Sequence, residues 1–75
     1  MFFIITIDGP VKYEESIELW NEIKEYEVNL LHCFNKSYVY GDVKSIDIMK
    51  DIVFIVSLKG YPITFERGTV YEQSK

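Results

Sequence analysis

Glutamates at helical spacing constrain this chain more than any other feature. Residues 8–27 hold seven of its twelve acids (Asp8, Glu14, Glu15, Glu18, Glu22, Glu25 and Glu27) and two of its eight bases, Lys12 and Lys24. At 100° per residue, Glu14, Glu15, Glu18, Glu22 and Glu25 share one arc about 100° wide. Tyr13, Ile17, Leu19, Trp20, Ile23 and Tyr26 form a separate apolar stripe. The segment therefore reads as an amphipathic helix from Tyr13 to Glu27, with one face in water and the other on a core. Like charges at i,i+4, as in Glu14, Glu18 and Glu22, each destabilise an isolated helix by roughly 0.2–0.5 kcal/mol. The sequence offers this row no basic partners, so the row is expected to be a surface that another molecule neutralises.

The segments around this helix have their own periods. Phe2 to Ile7 is apolar and β-branched, and it stops at Asp8-Gly9-Pro10. That pattern predicts a buried strand, a turn, and a proline suited to a helix start. Val28 to Phe34 reads as a second strand and Tyr38 to Tyr40 as a third, joined by a hairpin turn at Asn35-Lys36-Ser37. In residues 45–59, Ile46, Ile48, Met49, Ile52, Val53, Ile55 and Val56 fall in one half of a helical wheel. Asp47, Lys50, Asp51 and Ser57 fall in the other half. Ser45 suits an N-cap, and Lys59-Gly60 suits a C-terminal stop. The unbroken run Ile52 to Val56 leaves a strand open, which would give one long helix packed on a β-rich meander. The helical period favours a second helix. Pro62 to Glu66 is a last strand with Ile63 and Phe65 inward, and Thr69 to Glu72 a short further one. The order β-α-β-β-α-β predicts a single α+β domain spanning residues 1–75. Its topology would be ferredoxin-like, a four-stranded antiparallel sheet with two helices on one face.

A net charge of −4 and a pI near 4.8 argue against binding to nucleic acid or to anionic membranes. No stretch approaches the roughly 20 apolar residues of a membrane span, and one cysteine makes no internal disulfide. A cytoplasmic protein is expected. His32 and Cys33 are neighbours in a strand, so their side chains leave opposite faces and cannot form a catalytic pair. The reading is a small buried Cys33 and a half-exposed His32, both structural. No catalytic residue, metal ligand set or cofactor is expected. Tyr38 and Tyr40 share one face of their strand, as the base-stacking pair of RNA-recognition motifs does. The basic and glycine residues of that motif are missing, which leaves shielding of an open sheet face or a dimer contact. Phe54 and Leu58 lie at i,i+4 on the polar side of the second helix and are expected to form an interface.

The resulting expectation is a small non-enzymatic interaction module, an inhibitor or regulator of another protein. Glu14, Glu18, Glu22 and Glu25 would face a basic partner, and Phe54 and Leu58 would touch a second chain, with a homodimer as one form. The strand order, the turn at Asp8-Gly9-Pro10 and Asn29 early in the second strand are also similar to ACT-type small-ligand regulatory domains. That resemblance implies a domain dimeric through its sheet, with a ligand held near Asp8, Gly9 and Asn29.

Overall fold

A computed structural model describes residues 1–68; the expected strand at Thr69 to Glu72 lies outside them. The elements run β1 (Phe2–Ile7), α1 (Tyr13–Ile23), β2 (Asn29–Cys33), β3 (Lys36–Asp42), α2 (Ile46–Ser57) and β4 (Ile63–Gly68). The sheet is antiparallel throughout, in the order β2-β3-β1-β4. Both helices bury residues in one core, which gives the ferredoxin-like α+β arrangement. Residues 45–59 do carry the second helix, so the meander is not formed.

Alternation in β1 sets the faces. Phe3, Ile5 and Ile7 are buried beneath the helices, while Phe2, Ile4 and Thr6 are half-buried on the open face. Val39 joins the core from β3. Leu19 and Ile23 come from α1, and Met49, Ile52 and Val56 from α2. Ile63 and Phe65 pair with Ile7 and Ile5 and so share the helix face, as expected. Phe65 stays partly exposed, its ring 6.2 Å from that of Phe3. Gly41 is buried where the chain entering β2 crosses β3; a Cβ there would come within 2.8 Å of the Glu27 carbonyl oxygen.

Several boundaries differ from those the sequence suggests. α1 ends at Ile23 rather than Glu27, because the chain turns at once: Tyr26 N–H donates to the Ile23 carbonyl and Val28 N–H to that of Tyr26. A further turn of helix would have placed Glu25 and Glu27 at the negative end of the helix dipole. The β2–β3 turn is two residues, Phe34 and Asn35, and β3 is longer than Tyr38 to Tyr40. The buried line of α1 runs through Ser16, Leu19 and Ile23, which leaves Tyr13 and Ile17 exposed at the edge of the expected stripe. α2 starts at the Ser45 cap, whose hydroxyl accepts from Ile48 N–H at 3.4 Å, and stops before Gly60, whose φ is +85°.

Candidate functional site

The first turn of α1 is tied down from two sides. Gly9 has a φ of +70°, and a Cβ on it would lie 2.2 Å from the Asn35 carbonyl oxygen. That carbonyl accepts from Val11 N–H at 2.8 Å, so the entry to α1 is fixed to the β2–β3 turn. Lys12, at the N-cap, has no side-chain acceptor to offer, and Glu15 supplies it, accepting from Lys12 N–H at 2.9 Å. A carboxylate here satisfies a free helix N–H and complements the positive end of the dipole.

This arrangement aims Glu15 toward α2. Glu15 and Glu18 from α1, with Lys59 and Tyr61 from the α2–β4 connection, line a cleft of about 220 Å³ whose floor is Ile7, Val11 and Leu19. The Lys12 N–H bond, then the Tyr61 hydroxyl, hold the Glu15 carboxyl below the usual carboxylate range. The same bond to Glu15 pushes the Tyr61 hydroxyl up, with desolvation and the charges of Glu15 and Glu18 adding to it. Glu22 forms an ion pair with Lys59 at one end of the cleft.

The glutamate row is therefore divided. Glu15, Glu18 and Glu22 border the cleft or its end, Glu14 points to water, and Glu25 lies past the end of the helix. Glu22 does have a basic partner, contrary to the sequence reading; Lys59 is 37 residues away, so its proximity comes only from folding. Lys12 lacks the side-chain acceptor of a capping-box signature, so the sequence marks Glu15 as a cap only weakly. No sequence signal marks Tyr61.

The other expected sites fare differently. Phe54 and Leu58 are 63% and 69% exposed, and Phe54 lines a shallow apolar groove of about 440 Å³ with Met49, Val53 and Phe65. Asp8 is engaged by Lys36 at 3.6 Å and by the Thr64 hydroxyl at 3.2 Å. The space that Gly9 leaves is filled by Asn35. Asn29 stands opposite Tyr40, which stands opposite Ile4, so it lies four residues of strand from Asp8, about 13 Å, and two strands across. Asp8 and Gly9 are adjacent, but Asn29 is not brought to them.

Cys33 is exposed rather than buried, because it ends an edge strand on the open face. His32 is half-buried on the helix face, its Nδ1 2.9 Å from the Ser37 hydroxyl and its ring edge-on to Tyr13. Tyr38 and Tyr40 share the open face with Ile4 and Leu31. Among the described residues, no three His, Cys, Asp or Glu side chains are placed to hold a metal ion, and no helix is long and apolar enough to cross a membrane. No protein-family model, curated protein or solved structure matches this chain.

Proposed function

We propose that the protein is a non-enzymatic interaction module whose cleft between α1 and Tyr61 receives a lysine or arginine side chain from a basic partner protein. The observation that carries this reading is the layering of the cleft: apolar Ile7, Val11 and Leu19 below, the carboxylates of Glu15 and Glu18 above. A basic side chain is built the same way, with an aliphatic stem and a charged tip. Lys59 does not compete for Glu18, because Glu22 holds its ammonium. A volume of about 220 Å³ suits one side chain and falls below the roughly 300–1,000 Å³ of typical small-molecule sites. That favours a side chain over a free small molecule as the occupant of this cleft.

Two further features fit a binding role better than catalysis. The carboxyl of Glu15 is shifted down, whereas a general acid at neutral pH needs an upward shift. His32 and Cys33 project from opposite faces of β2.

The test is calorimetric titration with a lysine-rich peptide at low and high salt. Glu18→Gln is expected to weaken binding severalfold and flatten its salt dependence, while Glu14→Gln does so much less. Equal losses at the two positions would reduce the cleft to part of a diffuse acidic surface.

A further inference from the structure

β2 is one edge of the sheet, and its outer side has no partner strand among the described residues. Edge strands are ordinarily guarded by charges, proline or a bulge. Asn29-Leu30-Leu31-His32-Cys33 has none of these, whereas β4 at the other edge carries Glu66 and Arg67. The surroundings of β2 are apolar on both faces. Leu31 is 53% exposed on the open face. On the helix face, Tyr13 is 62% exposed and Ile17 is exposed beside it. Phe34, at the end of the strand, is 91% exposed and held at a φ of 57°. A left-handed backbone is unfavourable for a bulky residue, so that exposed ring is held in place at a cost.

We infer that β2 pairs antiparallel with β2 of a second copy, extending the sheet across a twofold axis at Leu31. Charge selects a second copy as the occupant. On the α1 wheel, Tyr13, Ile17 and Lys24 occupy the flank above β2, where Tyr13 lies edge-on to His32, and the nearest helix acid, Glu14, faces water. The helix glutamates lie on the far side or face water, and the one acid beside the strand, Glu27, falls opposite Asn35 of the second copy, so two chains of net charge −4 meet here without opposing their acids. The register is self-complementary. Leu31 meets itself, Leu30 meets His32, and Asn29 meets Cys33. The paired α1 helices run antiparallel to each other across the axis. Each Phe34 then reaches residues 27–28 of the other chain. The cleft under Glu15 and Glu18 stays open on the opposite flank, so dimerisation and cation binding are separate properties.

Sedimentation equilibrium tests this. Wild type is expected to approach twice its 8.9 kDa chain mass in the high-micromolar range and to dissociate on dilution. Leu31→Lys should stay at the chain mass with an unchanged far-ultraviolet spectrum, while Glu18→Gln should still dimerise. In a Cys33→Ser background, Leu31→Cys should oxidise to a disulfide-linked dimer, because directly opposed Cα atoms lie within disulfide range. Wild type at its chain mass at about 1 mM would overturn the inference. So would a dimer that survives Leu31→Lys, gives no Leu31→Cys cross-link and is lost in Phe54→Ala, since that contact would lie at the other edge.

Discussion

The two flanks of α1 differ in charge and in what they lie against. Toward α2, the helix presents Glu15, Glu18 and Glu22 to Lys59 and Tyr61, over an apolar floor. Toward β2, it presents Tyr13 and Ile17 above an uncharged strand edge. One helix of eleven residues thus separates two kinds of surface. The acidic flank already has local tasks, capping the helix and holding Lys59, and keeps Glu18 in reserve. The apolar flank has no such charged tasks among the described residues. Net charge alone describes neither flank, because a net −4 does not show how unevenly the acids are placed.

The change that should damage both flanks most is Gly9→Ala. The new Cβ would meet backbone atoms, Asn35 O at 2.2 Å and Val11 N at 2.7 Å, in a left-handed conformation. A loss of about 2–4 kcal/mol in urea unfolding is expected, combining the backbone penalty with the displaced Val11–Asn35 bond. A loss of only a few tenths would mean that the entry to α1 is not pinned to the β2–β3 turn, and that neither flank has a fixed orientation.

Glu15→Gln is expected to have a smaller effect, and one that depends on pH. The folded state holds the Glu15 carboxyl below its ordinary value, so its contribution is present above the usual carboxylate range. It is lost as pH falls through the lowered folded value. Wild type and Glu15→Gln should therefore differ in melting temperature near neutrality and converge in strong acid. Curves that stay parallel to the lowest pH would remove the cap and the Tyr61 contact from the account.

The smallest effects separate two neighbours one helical turn apart. Glu22→Gln breaks the Lys59 pair, which is part-exposed and should lower stability by about 0.2–1 kcal/mol. Glu18→Gln relieves repulsion from Glu14 and Glu22 and should raise stability by about 0.2–0.5 kcal/mol. Stabilisation by both substitutions would restore the picture of a uniform unpartnered row.

Much of the fold was legible because it is written in local patterns. The period-two burial of β1, the half-wheel of residues 46–56 and the Ser45 cap are each visible in short windows. The end of α1 was not, because the chain turns there through backbone bonds at Ile23 and Tyr26 without a glycine or proline to mark it. The sites were legible only in part. Helical spacing placed the glutamates on one arc, but their division depends on Lys59 and Tyr61, brought close by the packing of α2 and the start of β4. Cys33 reads as buried from the sequence because a short apolar run does not reveal which strand lies at an edge. The resemblance to ACT-type domains joins Asn29 to the Asp8 turn, and pairing with Tyr40 puts it at the other end of the sheet. Tyr13 and Ile17 fall in the apolar stripe yet stay exposed, because periodicity finds a stripe without saying which of its margins the sheet covers.

The division of α1 is tested most directly by backbone amide shifts of the folded protein during titration with Nα-acetyl-lysine amide. Salt-sensitive shifts that saturate and concentrate at Glu15, Glu18, Lys59 and Tyr61 are expected, with Tyr13, Ile17 and Leu31 unmoved. Shifts spread evenly over Glu14, Glu18, Glu25 and Glu27, or centred on the β2 edge, would contradict it.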